Sequence, residues 1–448
     1  MKYKPSKYMH MVVNKQNELI LYNALYGTNS LCKIRDSKGV THALKNGIES
    51  IDGELSDVMN SLVQRGYLVE EWKNEEALFN FKKAQMLSPK NLSLTIVIAG
   101  ECNFKCVYCH DRYGQSTISL ETQEKIVDYI RRNIQQYTGL HISWFGGEPL
   151  LAMDIIEDMS RKMMDICRKN KKPYSASMTT NGYYLNLDVF NRLRRVNVLS
   201  YQITLDGSQE THDSRRFLAD GSGTYNKIFD NLTEISASIT SFMYNFAIRV
   251  NMTIDMLDDI PLIVNTHLTC FGADPRFRLL FHPVTNFGGE SVKSLSHIMG
   301  GADMMRQIYH ILLEYPKLPY LSLVGLDPFT AICYAGVENN WWIDPEGIVH
   351  KCSIYFTNPD TKDRCSMGNI DALGKHQDYS YLLAEWVHSS STVCPSLDNC
   401  FFAPVCMGEP CPAKRIFSPN HLKEECPKKD VDLLILLLDR QEPLIFID

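Results

Sequence analysis

The uneven placement of cysteine constrains this chain more than any other feature. The 448 residues contain fourteen cysteines. Three of them fall within Cys102–Cys109, and a larger group lies between Cys333 and Cys426. The sequence Met1–Pro5 has no apolar stretch typical of an export signal, so we expect a cytoplasmic protein whose thiols stay reduced. Clustered cysteines in a reducing compartment indicate metal binding rather than disulfide bonds.

Composition and charge narrow the range of partners. The formal net charge is −6, so neither nucleic acid nor an anionic membrane surface is an expected partner. The longest apolar run, Leu433–Leu438, is too short to span a bilayer. The fractions of hydrophobic residues, 44%, and of charged residues, 22%, are those of ordinary globular proteins. A chain of this length has room for two or three domains.

The sequence pattern divides the chain into three regions and a tail. Residues 1–90 combine alternating strand-like runs, joined by the turn-like Tyr26-Gly-Thr-Asn29, with a helical pattern at Leu55–Arg65. Residues 91–315 repeat a strand–loop–helix unit, which predicts an α/β fold whose parallel sheet is doubly wound or curled into a partial barrel. In residues 316–430 periodicity weakens while Pro, Gly and Cys increase, so we expect metal clusters to stabilise this region. Residues 431–448 form the tail.

Residues with chemical potential follow the predicted strands of the second region. The predicted strands are Leu92–Ala99, His141–Phe145, Tyr174–Thr179, Leu199–Leu205, Phe246–Met252 and Arg276–Phe281. The residues that follow the first four strands are, in order, Cys102, Gly146-Gly147-Glu148, Asn181 and Asp206. Barrels of parallel strands hold their chemistry at the carboxyl ends of the strands. The pattern therefore predicts one site at that edge.

The sharpest motif is Cys102-Asn-Phe-Lys-Cys106-Val-Tyr-Cys109, a C-x3-C-x2-C loop placed directly after a strand. Three thiolates on one tight loop can bind three irons of a four-iron cluster and leave the fourth iron open. An open iron allows the cluster to bind a cofactor as well as to carry an electron. The alternative is a zinc site with His110 as the fourth ligand, although the spacing differs from that of common zinc pairs.

This loop, together with Gly146-Gly147-Glu148-Pro149, resembles the radical S-adenosylmethionine (SAM) superfamily. The resemblance implies a partial (β/α)6 TIM-like barrel with a [4Fe-4S] cluster on Cys102, Cys106 and Cys109, and with SAM on the open iron. The glycines Gly146 and Gly147 would permit a close backbone approach to SAM. The carboxylate of Glu148 would accept a hydrogen bond from the ammonium group of SAM.

The segment after the fourth predicted strand extends the resemblance. Ile203-Thr-Leu-Asp-Gly207, followed by His212-Asp213 and Arg216, is similar to the same segment of peptide-modifying members. In those members a hydroxyl residue and an arginine help to hold SAM, which implies the same role for Thr204 and Arg216. A cation suits the methionine carboxylate. Tyr108 is expected near the adenine, and Asn251 is expected to face the cofactor.

The later cysteines resemble the SPASM extension, which carries two auxiliary [4Fe-4S] clusters. The usual central string of that extension is C-x2-C-x5-C-x3-C, whereas this chain has C-x5-C-x5-C-x4-C. Carried over in order, the resemblance gives the distal cluster to Cys394, Cys400, Cys406 and Cys426. It gives the proximal cluster to Cys333, Cys352 and Cys411. One ligand position is then unassigned; Cys365 is spare but is interpreted as a loop cysteine, and zinc is the alternative for this region.

The N-terminal region indicates the substrate. Its order of strands and helices resembles the winged-helix-like leader-recognition domain that is fused to maturases of ribosomally made peptides. Such a domain adds an extended leader as a strand at a sheet edge, with helix Leu55–Arg65 as the other wall. An ordinary structural cap is the alternative for this region.

Taken together, the resemblances imply a radical SAM oxidoreductase with three [4Fe-4S] clusters. It would act on a precursor peptide bound through its leader, form cysteine thioether crosslinks through a 5′-deoxyadenosyl radical, and receive electrons from flavodoxin or ferredoxin. Its catalytic side chains are not identified from the sequence.

Several rival functions use the same machinery: carbon–carbon crosslinking, epimerisation and oxidation of a sulfatase cysteine to formylglycine. The last is disfavoured, because sulfatase-maturing members place a catalytic Asp where this chain has Ser353. A rival from a different class is a non-catalytic, metal-stabilised scaffold that binds peptides.

Overall fold

The structure of the chain is a computed structural model. The residues that it describes are 2–34, 38–51, 56–109, 116–272, 274–284, 301–315, 325–329, 332–354, 361–375, 378–388, 394, 396–408, 411–417, 426–441 and 444–447. His110, the candidate zinc ligand, lies outside the described residues. In the described part of the chain, no helix has both the length and the apolar character needed to cross a membrane.

The N-terminal region is a small module of strands and helices. Its elements are β1 (Tyr3–Pro5), β2 (Met9–Val13), β3 (Leu19–Asn23), β4 (Gly27–Ile34), α1 (Lys38–Asn46), α2 (Ser56–Gln64), β5 (Leu68–Glu70) and α3 (Glu75–Leu87). Strands β2, β3 and β4 pair antiparallel in that order. One face of this sheet shares an apolar cluster with helices α1 and α2, represented by Leu21, Ala43 and Leu62. The helix predicted at residues 55–65 is α2.

The turn between β3 and β4 lies earlier than the sequence pattern predicts. The predicted turn at residues 26–29 is wrong, because the turn occupies residues 24–26 and residues 27–29 belong to β4. Asn23 explains the difference. Its buried side chain accepts a hydrogen bond from the Leu25 backbone N at 2.9 Å, an Asx turn that reverses the chain at once. The same amide donates to Ser6 Oγ at 3.0 Å and to the Gly66 carbonyl at 2.6 Å.

The second region forms a parallel sheet with helices between its strands. The strands are β6 (Leu92–Ala99), β7 (Leu140–Gly146), β8 (Tyr174–Thr180), β9 (Val198–Thr204), β10 (Asn245–Met252) and β11 (Phe277–Pro283). The helices are α4 (Leu120–Asn133), α5 (Met153–Lys169), α6 (Leu187–Arg195), α7 (Gln209–Arg215), α8 (Tyr225–Ser238), α9 (Ile260–Phe271) and α10 (Gly301–Leu312). The predicted α/β class with a parallel sheet is confirmed.

A ladder of aromatic rings fixes the register of the last strands. Tyr201 of β9 stacks on Phe246 of β10 with ring centroids 5.0 Å apart, and Phe246 stacks on Phe277 of β11 at 4.6 Å. Phe271 of α9 continues the stack at 4.6 Å from Phe277. Cross-strand aromatic pairs of this kind stabilise one register against its neighbours. The carboxyl ends of these strands are therefore placed at a common level.

The sheet continues into the cysteine-rich region. The later elements are β12 (Asn340–Ile343), β13 (Ile348–His350), α11 (Lys362–Cys365), β14 (Ser366–Asn369), α12 (Tyr379–His388), α13 (Ala403–Cys406), α14 (Pro412–Phe417), α15 (Val431–Gln441) and β15 (Phe446–Ile447). Strand β12 pairs in parallel with β6, and β13 and β14 follow antiparallel. Among the described strands the order is β11-β10-β9-β8-β7-β6-β12-β13-β14. The boundary predicted at residue 315 therefore does not coincide with an end of this sheet.

The residues predicted as a tail pack on the N-terminal module. Strand β15 pairs in parallel with β4, which gives the smaller sheet the order β15-β4-β3-β2. Helix α15 lies beside the same sheet, where Asp432 contacts His10 at 2.6 Å and Asp439 contacts Lys33 at 2.8 Å. The described parts of residues 431–448 thus form a helix and a strand.

The Asn23 contacts make a prediction about stability. Replacing Asn23 by Ala removes one hydrogen bond of the Ser6 hydroxyl and takes the Asn23 partner from the Leu25 N–H and the Gly66 carbonyl, so the free energy of unfolding should fall by about 2 kcal/mol. The measurement is thermal and urea unfolding of the two proteins. The matched control is Asn60→Ala, which removes an exposed asparagine from α2 and should change the free energy by less than about 0.5 kcal/mol. Equal effects of the two substitutions would contradict the assigned role of Asn23.

Candidate functional site

Two glycines allow the end of β7 to cross the end of β6. The Gly147 backbone N donates to the Ala99 carbonyl at 2.9 Å, and the Glu148 N donates to the Glu101 carbonyl at 2.9 Å. Gly146 has a φ of +147°, and a Cβ added there would lie 2.2 Å from the Ala99 carbonyl oxygen. A Cβ on Gly147 would lie 2.4 Å from the Glu101 carbonyl oxygen. The two glycines thus admit a neighbouring strand end, and their predicted approach to a cofactor stays a prediction.

The three-cysteine loop lies against the chain that follows α7. The Val107 backbone N donates to the Arg215 carbonyl at 3.0 Å, and the Lys105 N donates to the Phe217 carbonyl at 2.8 Å. The loop also closes on itself, because the Cys109 N donates to the Cys106 carbonyl at 3.2 Å. These backbone bonds fix a segment that has no helix or strand of its own. The loop is thereby held at the carboxyl end of β6.

The thiol of Cys102 lies in a partly buried and electronegative setting. Burial raises the pKa of Cys102 to about 11; the charges of Glu148 and Cys106 raise it further, and the Phe104 backbone N–H opposes them. A thiol with such a pKa is protonated at neutral pH. A bound metal reverses this, because a coordinating thiol loses its proton outright. The surroundings of Cys102 therefore suit a cationic cluster better than a free thiolate.

The hydroxyl of Tyr108 lies at the centre of a polar network. It donates to the carboxylate of Asp206 and accepts from Arg216 Nη1 at 2.9 Å and from Asn251 Nδ2 at 3.0 Å. The other carboxylate oxygen of Asp206 accepts from the Asn251 backbone N at 2.7 Å. The structure thus brings together Tyr108, Arg216 and Asn251, three of the predicted cofactor residues. Asp206, noted in the sequence only for its place after a strand, joins them.

Thr204 lies at the edge of this network. It is buried at the end of β9, in register with Arg249 of β10. Arg249 Nε donates to Asn251 Oδ1 at 2.7 Å, which fixes the amide orientation of Asn251. Three predicted cofactor residues besides Tyr108, namely Thr204, Arg216 and Asn251, are therefore within one connected region, although a contact of Thr204 with SAM stays a prediction.

Three buried donors in or beside the cysteine loop have no partner within the described residues. They are Asn103 Nδ2, Arg215 Nε and Arg216 Nε. Arg216 also lies over the ring of Phe104, 5.5 Å from its centroid. A buried guanidinium N–H without an acceptor is costly unless a ligand satisfies it, and a carboxylate is its best acceptor. These residues therefore fit the methionine carboxylate of SAM.

Glu148 already has three hydrogen-bond donors in the protein. Its buried carboxylate accepts from Thr180 Oγ1 at 2.7 Å, from the Asn181 N at 2.7 Å and from the Leu150 N at 3.0 Å. Burial raises the pKa of Glu148, and these three bonds oppose that rise. The carboxylate therefore ties the end of β7 to the end of β8. The predicted bond to the SAM ammonium stays a prediction.

A buried histidine beneath the network supports Asp206. His212 Nδ1 accepts from the Asp206 backbone N at 3.1 Å, and His212 Nε2 lies 3.0 Å from Thr224 Oγ1. The Thr224 hydroxyl donates to the Arg216 carbonyl at 2.7 Å, so it accepts from His212 Nε2–H and fixes the neutral tautomer. Burial, assisted by the charges of Arg216 and Arg215, lowers the pKa of His212 to about 2. No role was predicted for His212 from the sequence, although His212 lies four residues before Arg216.

The later cysteines form two sets in space. Burial raises the pKa of Cys406 to about 11, and the charges of Cys400, Cys426 and Cys394 raise it further. Gly408 packs against this set, since a Cβ there would lie 3.5 Å from the Cys394 Cβ. The structure therefore places the four cysteines of the predicted distal set near one another.

The other set surrounds Cys333. Burial raises the pKa of Cys333 to about 12, and the charges of Cys411 and Cys352 raise it further. Cys365 is fully buried, and its carbonyl accepts from the Lys351 N at 3.0 Å. Burial raises the pKa of the Cys365 thiol, and the charge of Cys352 raises it further. Cys365 thus lies beside the predicted proximal set.

Within the described residues, no three side chains of His, Cys, Asp or Glu converge on one point as a single metal ion requires. A four-iron cluster makes a different demand, because each thiolate binds a different iron at a different corner. The three groups of cysteines, with three, four and three thiols, suit four-iron clusters in which each thiolate binds its own iron.

His212 predicts a pH dependence of stability. The folded-state pKa is about 2 and the unfolded value is about 6.5, so the unfolded chain binds a proton first as the pH falls. The contribution of neutral His212 to the free energy of unfolding is fully present above about pH 6.5. Below that pH it should decrease by up to about 1.4 kcal/mol per pH unit. In His212→Gln this loss is absent. The measurement is urea unfolding of both proteins at pH 7.5 and 5.5; a constant difference between them would contradict the assigned burial.

Comparison with known proteins agrees with this geometry. The family model described as the Radical SAM superfamily matches residues 96–260, which contain the cysteine loop, the glycines and the Tyr108 network. A radical SAM cyclopropyl synthase, TigE, from Paramaledivibacter caminithermalis is 22% identical over 272 residues, or 54% of this chain and 56% of TigE. A cysteine-type anaerobic sulfatase-maturating enzyme from Clostridium novyi is 31% identical over 153 residues, or 32% of this chain and 40% of that enzyme. The chain spans about half the length of the curated relatives it matches.

A solved structure has a similar fold over most of the chain. Native anSMEcpe with bound AdoMet and the Kp18Cys peptide is 17% identical, with a TM-score of 0.62, and the match covers 78% of this chain and 98% of anSMEcpe. At this identity the likeness concerns the fold. With the family match and the cysteine loop at the carboxyl end of β6, it leads to one conclusion: this chain carries a radical SAM domain.

Proposed function

We propose that this chain is a radical SAM maturase that forms cysteine thioether crosslinks in a ribosomally synthesised precursor peptide. The observation that carries the proposal is the grouping of ten cysteines into sets of three, four and three. The first three share one short loop, in which the Cys109 backbone N donates to the Cys106 carbonyl. In each of the other two sets, one cysteine lies within electrostatic range of the rest of its set. Three sets match the need for one radical-forming cluster and two auxiliary clusters. The fold relative anSMEcpe holds both AdoMet and a peptide, which supports the same two ligands here.

Cys102, Cys106 and Cys109 would hold the first [4Fe-4S] cluster, with Arg216 on the methionine carboxylate of SAM. When bound, the cluster and SAM supply a 5′-deoxyadenosyl radical, the species that removes a hydrogen atom from the peptide. Flavodoxin or ferredoxin is the proposed electron donor. Cys365 is a candidate for the eighth auxiliary thiolate because it lies beside Cys352.

The residues of the Tyr108 network position the cofactor and exclude water. All of its hydrogen bonds run between protein groups, so its geometry is set before any ligand arrives. Pre-organised contacts lower the entropic cost of holding the reacting groups in line. Tyr108 is only partly exposed, and Arg216 is buried. A radical formed beside these residues is therefore kept from solvent.

Thioether formation also defines what the cysteine-rich region must do. A C–H bond and an S–H bond are broken and a C–S bond is formed, which releases one hydrogen atom, one proton and one electron. The radical takes up the hydrogen atom. The electron needs an acceptor near the peptide, and the auxiliary thiol sets would hold one. The electron donor supplies one electron for each electron that the thioether-forming step releases, so the reaction needs no further oxidant.

Formylglycine formation is the second candidate, favoured by the segment that is 31% identical to a sulfatase-maturating enzyme. Ser353 argues against it, since relatives of that type are expected to carry a catalytic Asp there. The Ser353 hydroxyl accepts from Tyr334 Oη at 2.8 Å, and the same Oη accepts from the Ser353 N at 2.8 Å. Ser353 therefore supplies a neutral contact where a carboxylate base would be required.

The cluster assignment predicts iron content. Anaerobically reconstituted protein should bind about twelve iron atoms, in three four-iron clusters. Replacing Cys102, Cys106 and Cys109 by Ala should remove about one third of the iron and all SAM cleavage. Replacing Cys394 and Cys400 should remove a different third, and Cys270→Ser, a single cysteine on α9, is the control that should keep all of it. SAM cleavage by the triple variant, or tightly bound zinc in the native protein, would rule out the assignment.

The product distinguishes the candidate reactions. The chain is co-expressed with each short cysteine-containing reading frame beside its gene, and the peptides are measured by mass spectrometry. A thioether product should be lighter by two hydrogen atoms and its cysteine should resist alkylation. Formylglycine would replace sulfur by oxygen and also lose two hydrogen atoms. Epimerisation would leave the mass unchanged, and a carbon–carbon crosslink would lose two hydrogens but leave cysteine free to alkylate. The control is the Cys102/Cys106/Cys109 triple variant, which should yield unmodified peptide.

A further inference from the structure

The three antiparallel strands of the N-terminal module have two outer strands, β2 and β4. The β2 side is covered by later parts of the chain. The ring of His10 stacks on Phe401 with centroids 4.3 Å apart and an interplanar angle of 2°, and His10 Nε2 lies 2.6 Å from Asp432 Oδ1. The β4 side is covered by a much smaller element. Only the short strand β15 pairs with β4 there in the described part of the chain.

The pairing between β4 and β15 is that of an added strand. Phe446 aligns with Lys33 and Ile447 aligns with Ile34, in parallel orientation. The Lys33 backbone N donates to the Ile445 carbonyl at 2.9 Å. By comparison, β2 and β3 align over five residue pairs. The edge is therefore closed by a contact that is short and rests mainly on backbone bonds.

One side chain of the added strand enters an apolar pocket. Ile447 is 6% exposed and packs in the cluster formed by β4, α1 and α2, which includes Ile34, Leu44 and Met59. Ile445 and Phe446, in contrast, are 62% and 40% exposed. A strand paired with β4 thus needs one aliphatic side chain at the Ile447 position and little else. This is how β-strand addition works: main-chain bonds give affinity and alternate side-chain pockets give selectivity.

We propose that residues 445–447 are an internal competitor of the leader: they occupy the edge of β4, at which an added leader strand is expected, until the leader of the precursor peptide displaces them. This inference rests on the proposed function. The leader is then an extended segment with an aliphatic residue for the Ile447 pocket. Occupation by the chain's own strand reduces the apparent affinity for the leader in proportion to the fraction of molecules in which the edge is open. It also protects an edge that would otherwise pair with other chains.

The test uses a fluorescein-labelled peptide with the sequence of residues 442–448, Glu-Pro-Leu-Ile-Phe-Ile-Asp. Fluorescence polarisation is measured with cluster-loaded full-length protein and with protein that ends at Gln441. The shortened protein should bind the probe at least about ten-fold more tightly, with a Kd on the order of micromolar. A probe carrying Ile447→Asp should not bind, since its charge cannot enter the apolar pocket.

Two full-length variants test the same point without removing the segment. Ile447→Asp should open the edge and bind the probe as the shortened protein does. The matched control is Ile445→Asp, which changes an exposed side chain of the same strand and should stay closed. In the unaltered chain, hydrogen exchange across residues 444–447 should accelerate when excess unlabelled probe is added, because the segment is displaced.

The inference is overturned if both opened proteins bind the probe weakly, or if the unaltered chain binds the probe as tightly as they do. It is also overturned if hydrogen exchange across residues 444–447 does not change when the probe is added. None of these outcomes alters iron content or SAM cleavage, which test the proposed function separately. If the probe binds but a precursor identified by its modification does not compete with it, the edge is not the leader site. Competition by that precursor, with faster modification by Ile447→Asp at low peptide concentration, supports the inference.

Discussion

The hydrogen bond between the Tyr108 hydroxyl and the Asp206 carboxylate is the contact on which the site depends. It joins a loop without regular structure to the carboxyl end of a sheet strand. Arg216 and Asn251 bind the same hydroxyl, and His212 holds the Asp206 backbone from below. The three-cysteine loop is therefore positioned by the parallel sheet through a few buried polar groups. Because these groups have little access to water, each bond contributes to the geometry of the whole loop.

The parallel sheet was predictable because its signal is local. Strands β6 to β11 are apolar runs bounded by loops, and the cysteine loop and glycines follow them at regular places. Asp206 and His212 were harder to assign, since their roles arise from contacts between segments that are far apart in sequence. Strands β12 to β14 are only three or four residues long, too short for periodicity to reveal, and β12 becomes a strand by pairing with β6. The turn after β3 was misplaced because Gly27 suggested it, whereas the Asn23 side chain determines it.

The cysteines show how one residue type serves two purposes in one chain. Cys32 and Cys167 are buried singly among apolar residues, as structural cysteines commonly are. The clustered thiols are different, because Cys102, Cys333 and Cys406 each lie near the charges of other thiols. Several buried thiolates without a metal would repel one another. Binding of clusters would therefore contribute directly to the stability of the cysteine-rich region.

The pairing of β4 with β15 also has a consequence for how the protein is made. Strand β4 lies near the start of the chain, and its partner is synthesised only after the barrel and the cysteine-rich region. Domains fold as they emerge during translation, N-terminal regions first. A nascent chain would therefore carry a folded N-terminal sheet whose β4 edge is open throughout most of its synthesis. In that period the edge is accessible to chaperones, to other nascent chains and to any extended peptide nearby, and completion of the last strand closes it.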